Sequence, residues 1–294
     1  MKRLMILAGL AIVLVGCTYK GQELISGDGF NFKDNTPGYN EYVKLEQGCA
    51  RRDCMPVIDE PDWESREEAD RWLGDEDVVL GLDYRGEHRA YPVKVMNWHE
   101  IVNDEVGGEA VAVTYAARCG SAVVLKRQGL VGVSGKLKYG CPVMYDRETR
   151  SLWEQVTGGA IVGERKGEKW GQVPVQVLSW KEWRMGHPAT AVLARAKGGK
   201  IDYEAEPYPE EEGREVVYGV RVGGQAKAYT LTAVKRETAD DGVLVDTVGG
   251  GKLRLSYRDG EILVENLRTK SKIIPMRMFK FAWMAYYPEM EIYD

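Results

Sequence analysis

Val79-Leu80-Gly81, then Gly86, then Arg89-Ala90-Tyr91 recurs as Val217-Tyr218-Gly219, Gly224 and Lys227-Ala228-Tyr229. The offset is constant, 138 residues (217 against 79). Each copy reads as a β-hairpin: alternating apolar residues on either side of a Gly-containing turn. In the first copy the strands are expected at 77–82 and 88–91, around Arg85-Gly86-Glu87. Working outward, Val106-Gly107-Gly108 with Tyr115 recurs as Val248-Gly249-Gly250 with Tyr257. Trp183-Arg184-Met185-Gly186-His187-Pro188 recurs as Trp283-Met284-Ala285-Tyr286-Tyr287-Pro288. Side chains kept in both copies are assigned to the scaffold. Those carried only by the first are candidates for function: His99, Glu100, Cys119 and His187.

The expected fold is α+β and β-rich, a mainly antiparallel sheet structure built from two diverged copies of one unit. The first, complete unit occupies 46–196 and the shorter second unit 216–294, as separate domains or halves of one sheet. The 34 glycines fit a chain with many tight turns. Helices are expected at 62–74, 93–102, 181–185 and 232–238. Further hairpins are expected around Gln128-Gly129 and around 146–150. Residues 197–215 contain Gly198-Gly199, Pro207, Pro209 and the acidic run Glu210–Glu212, so they read as an exposed linker.

The N-terminus reads as a lipoprotein signal peptide over residues 1–16. Lys2 and Arg3 precede an apolar run ending in Leu14-Val15-Gly16-Cys17, which has the form of a lipobox. The run is too short to span a bilayer, which takes about 20 residues. Cleavage would leave a lipid on Cys17 and a protein tethered to a cell-envelope membrane, the outer one in a diderm. Residues 17–45, rich in Gly, Asn, Asp, Tyr and Lys, read as a flexible tether. A formal charge of −5, made more negative by loss of Lys2 and Arg3, argues against nucleic-acid binding.

The candidate chemistry starts with Asn97-Trp98-His99-Glu100-Ile101-Val102-Asn103-Asp104. On a helix, His99 and Asn103 share a face, as do Glu100 and Asp104. A histidine beside a carboxylate serves as a base or a metal ligand; the alternative is a buried histidine bonded to a backbone carbonyl. Setting Cys17 aside, four cysteines remain, and in an exported protein they suggest the disulfides Cys49–Cys54 and Cys119–Cys141. Cys119 has a second reading. It sits after a strand, beside Arg118 and Gly120, where a thiolate is favoured as nucleophile or ligand. Thiolate plus imidazole suits copper, zinc or iron. Asp146 and Arg147 lie in a turn and are either turn formers or site residues. His187, held extended by Pro188, is a further ligand candidate.

These blocks resemble a family of unknown function, the domain of unknown function 3179. The likeness rests on Arg89-Ala90-Tyr91-Pro92, 97–104, Val113-Thr114-Tyr115, Cys119-Gly120-Ser121-Ala122, Met144-Tyr145-Asp146-Arg147 and His187-Pro188. The resemblance implies a Tyr-Cys-Pro-Leu-Cys-Gly strand end, where this chain has Ala116 and Ala117 in place of the first cysteine and the proline. It also implies a polar residue at Cys141, which here offers Cys119 a replacement partner. The leading expectation is a thiol–imidazole site for a transition metal or thiol redox work. Cys119, His99 and Glu100 would act as reacting groups, with His99, Cys119 and His187 as ligands. Asn97, Asn103, Asp104, Asp146 and Arg147 would surround them. The alternative is a non-catalytic binding or scaffold lipoprotein with a protein partner.

Overall fold

The computed structural model describes residues 27–197, 201–205, 207, 214–258 and 261–294. The expected signal peptide, residues 1–16, and Cys17 lie outside these residues. Among them, the strands form five small sheets arranged as a five-bladed β-propeller. The β-rich, mainly antiparallel expectation therefore holds, and the α+β layering is corrected to a ring of blades.

Blade I has the order Gln176–Ser179, Val78–Tyr84, Glu87–Pro92, Ala191–Leu193, Trp63–Glu64. Blade II has Gln172–Val173, Ser121–Lys126, Glu109–Ala116, Ile101–Val106. Blade III has Glu46–Gln47, Val131–Lys138, Cys141–Asp146, Leu152–Glu154, Ala160–Val162. Blade IV has Met276–Phe279, Val216–Val222, Gln225–Thr230, Glu291–Tyr293. Blade V has Leu244–Val248, Gly251–Arg258, Glu261–Asn266, Lys272–Ile273.

Apolar clusters fasten the ring. Leu80 and Leu82 meet Val113 and Val124 between blades I and II. Ala112 and Leu125 meet Met144 and Trp153 between II and III. Cys141 meets Val217 and Trp283 between III and IV, and Val220 meets Leu253 between IV and V. The strand Gln176–Ser179 touches Glu261–Asn266 and closes the circle.

The order of blade I recurs in blade IV, including the last strand, which runs parallel to its neighbour in both: Ala191–Leu193 on Glu87–Pro92, and Glu291–Tyr293 on Gln225–Thr230. Side chains recur with it. Trp183 is fully buried against the backbone of Gly81, where a Cβ would stand 2.2 Å from the indole. Trp283 lies over Gly219 in the same way, 2.1 Å from a Cβ placed there. The Tyr91 hydroxyl donates to Asp104 at 2.7 Å, and Tyr229 to Asp246 at 2.9 Å.

Several local expectations are corrected. The helix expected at 62–74 is a short strand, Trp63–Glu64, followed by one capped turn, Arg66–Ala69, whose Ser65 side chain accepts from the Glu68 N–H. The helix expected at 93–102 stops at His99; Glu100 has φ 58°, and Ile101 begins a strand. Gln128-Gly129 joins two blades rather than two strands of one hairpin. Part of the expected tether is packed: Phe30 and Tyr42 lie with Val143 and Leu152 on blade III. Tyr203, in the expected linker, is 7% exposed and joins the core between blades I and II.

Candidate metal centre

The strand Val78–Tyr84 pairs antiparallel with Glu87–Pro92, and the register sets Asp83 opposite His88. Directly opposed residues project from the same face with Cβ atoms about 5 Å apart. On that face the preceding pair is Gly81 and Ala90. These small residues admit the Trp183 ring of the helix Trp180–Gly186. Ser179 begins the helix by accepting from the Glu182 N–H, with Glu182 bonding back to Ser179. The helix ends at Gly186, and Pro188 keeps His187 out of it, at φ −132° and ψ 69°.

His187 is thereby stacked on Trp183, ring centres 3.8 Å apart and planes 18° from parallel. Its ring centre is 4.7 Å from that of His88. Nε2 of His88 stands 3.4 Å from Asp83 Oδ1, and Nε2 of His187 stands 3.7 Å from Asp83 Oδ2. One ligand atom from each of the three residues lies within 4.8 Å of the others.

The donor set suits a cation there. Nδ1 of His187 is 3.3 Å from the Trp183 carbonyl, an acceptor only. In the neutral ring Nδ1 then carries the proton and Nε2 presents a lone pair toward a carboxylate. This is the arrangement of a metal-bound histidine whose second nitrogen is fixed by a carbonyl. Asp83 is half exposed and His187 largely covered, so the group opens to solvent on the Asp83 side.

At the matching register of blade IV, Arg221 stands opposite Ala226, and Tyr287 follows Trp283 by four residues. The Arg221 guanidinium lies 5.1 Å from the Tyr287 ring centre. Blade IV thus places a protein cation where blade I gathers three candidate ligand side chains.

The other expected site residues do not join this group. His99 is 4% exposed; its Nδ1 is 2.5 Å from the Pro56 carbonyl and its Nε2 2.9 Å from the Tyr203 hydroxyl. Burial pushes its pKa below the ordinary value, against the Pro56 carbonyl, which raises it. The folded protein therefore resists protonating His99 while the unfolded chain does not. This stabilisation is full above the ordinary imidazole range and is lost as pH falls through it. His99→Gln should narrow the difference in melting temperature between pH 7.5 and pH 5.5; an unchanged difference contradicts this.

Cys119 is fully buried and disulfide-bonded to Cys141, which corrects its reading as an exposed thiolate. The bridge ties the start of a blade II strand to the start of a blade III strand, with Cα atoms 5.3 Å apart. The Cys119 carbonyl accepts from the Phe279 N–H of blade IV at 2.7 Å. A second bridge joins Cys49 and Cys54. Cys119→Ser/Cys141→Ser should lower unfolding free energy by about 3 kcal/mol while leaving metal affinity unchanged; coupled loss of metal would place the thiols in the site.

Asn97 is buried in the helix Val93–His99, and Glu100 occupies the left-handed turn after it. Asn103 bridges Asp59 and Val131, and Arg147 donates to Asp59 at 2.7 Å. Asp104 accepts from Tyr91; burial pushes its carboxyl above the ordinary value, against the lowering by Tyr91. Asp146 accepts from Thr149 and from the Trp153 indole N–H at 2.9 Å. These are turn and core interactions. His88 and Asp83 were missed because neither lies in a recognisable ligand motif. A signal was present in the alignment of 79–91 with 217–229, which sets Arg221 and Ala226 against Asp83 and His88.

Fold and site together give a β-rich ring that carries, among the described residues, one His-His-Asp cluster. The chain belongs to the DUF3179 family of proteins of unknown function, whose model matches residues 52–272. No curated protein and no solved structure matches it.

Proposed function

We propose that this is an exported, lipid-anchored protein that binds one divalent transition-metal ion through Asp83, His88 and His187. The observation that carries the reading is the His187 geometry: Nδ1 is occupied by a backbone carbonyl, and Nε2 faces a carboxylate oxygen 3.7 Å away. Two neutral imidazoles and one carboxylate suit zinc or ferrous iron, and without a thiolate they suit copper(I) less. Three protein ligands on an open face leave coordination positions for water or an exchangeable ligand. A thiol role for Cys119 is set aside in favour of a structural bridge.

The chain is read as an internal duplication in which the first unit carries the ligands. Support comes from the repeated sheet order, the two Trp–Gly contacts and the two Tyr–Asp bonds. Export is supported by the lipobox-like Leu14-Val15-Gly16-Cys17 and by two disulfides, which persist in oxidising compartments. No helix among the described residues is long and apolar enough to cross a membrane.

Calorimetric titration of the chelator-stripped protein with zinc chloride tests the metal reading. One ion per chain is expected, with binding lost in His187→Ala and kept in His99→Gln. Equal affinity in both variants, or no saturable binding, would overturn it.

A further inference from the structure

We propose that the cavity where blades I, II, IV and V meet binds a small organic anion with an apolar body. This inference is independent of the metal reading. The cavity has a volume of about 620 Å³, within the range of sites for drug-sized ligands. Two crossing segments shape it: 172–177, which passes from blade II to blade I, and 272–277, which passes from blade V to blade IV. Each contains a proline, Pro174 or Pro275, that has no N–H to give a ladder. Each segment leaves the edge of one blade and joins the edge of the next, and only the residues at the proline, 174–175 and 274–275, are unpaired.

Its lining has two chemistries. Val124, Val173, Val177, Ile262, Val264 and Met276 supply apolar surface. Arg254, Arg258, Lys270, Lys272 and Arg277 supply five cations against Asp83 and Glu265. The imbalance runs opposite to the chain's formal charge of −5. Glu265 is shared by Arg254 at 3.7 Å and Lys270 at 4.0 Å. Arg277 donates to the Gly120 carbonyl at 2.5 Å. Arg258 and Lys272 are exposed at the cavity, Lys272 on the strand opposite Glu265, and no ion pair to either is seen among the described residues. A concave site with an excess of positive charge beside apolar surface concentrates ligands of the opposite sign. The fit is to a molecule with one apolar portion of ring or chain and one carboxylate, sulfonate or phosphate.

A charged and an uncharged probe of the same body separate the two chemistries. Anilinonaphthalene sulfonate carries one sulfonate, and N-phenyl-naphthylamine is the same ring system without it. Fluorescence titrations are made on the full exported chain with chelator present, so that metal plays no part. The expected result is one saturable sulfonate site per chain, with affinity weakened at least tenfold by Arg258→Glu/Lys272→Glu and less by Arg258→Gln/Lys272→Gln. Affinity should also fall with added salt, because both cations are exposed. The Glu substitutions stand opposite Glu261 and Glu265 in the register of their strand pairs, where like charges destabilise, so a thermal melt of each variant accompanies the titrations and the Gln pair carries the test if the Glu pair is unfolded. Absent or non-saturable sulfonate binding, equal binding of the two probes, or unchanged affinity in the Glu variant would each overturn the proposal.

Discussion

Gly81→Val should destabilise the protein by about 3 kcal/mol or more, a fall in melting temperature of roughly 6–10 °C. The cause is local. Trp183 lies directly on the Gly81 backbone, and even a Cβ there would meet three indole carbons between 2.2 and 2.8 Å away. The indole has little room to retreat: it is fully buried, and its N–H donates to the Thr190 hydroxyl at 3.0 Å. Its neighbours are packed core side chains, Leu73, Leu178 and Val192 among them, so the ring must leave its place for valine to enter. Because His187 is stacked on that ring, the same substitution should weaken metal binding. Gly219→Val supplies the contrast. It makes the same clash with Trp283 in blade IV and should cost comparable stability, but it leaves the blade I ligands where they are. Thermal melts and zinc titrations on the two variants separate scaffold from site. Equal loss of metal affinity in both would contradict the assignment of the site to blade I alone.

The second large effect is on the ion itself. Removing one of three protein ligands should weaken zinc binding by about 100-fold or more, at least the upper loss seen when only an outer partner of a ligand is removed. Asp83→Arg/His187→Tyr should abolish binding while retaining the fold, because blade IV already accommodates Arg221 and Tyr287 at the matching places. The guanidinium would occupy the position of the ion's charge. In the wild type, each imidazole must be deprotonated to bind. Zinc affinity should therefore fall as pH is lowered, because protons compete for the ligand nitrogens. A competition titration with a chelating dye across pH 5.5–8 measures it, and a flat profile would contradict histidine ligation.

Much of the fold was legible as local pattern. The hairpins of blades I and IV, the strand ending at Ala116 and the helix carrying Trp183 follow from alternation, Gly-containing turns and helix stops. The alignment of the two similar segments singled out His187, which the structure sets beside Asp83 and His88. What was not legible depends on contacts distant in sequence. A single apolar run, 93–102, satisfies both a helix and a strand; Glu100, at φ 58°, divides them, and its backbone accepts from Tyr115 of the neighbouring strand. The closing of five sheets into a ring has no marker in any one segment. The site was half legible for the same reason. His99 looked reactive beside Glu100, yet Pro56 and Tyr203, far along the chain, satisfy it in the core. His88 looked like an ordinary strand residue until the sheet set it opposite Asp83 and the helix brought His187 to both.

Zinc-edge X-ray absorption of the metal-loaded protein tests the central claim most directly. Two imidazoles and one carboxylate predict only nitrogen and oxygen scatterers near the ion, at about 2.0–2.2 Å, with the outer-shell pattern of two histidine rings. The imidazole pattern should drop to one ring in His88→Ala. A sulfur scatterer at about 2.3 Å, or an imidazole pattern unchanged in His88→Ala, would contradict the assignment of Asp83, His88 and His187 as the metal centre.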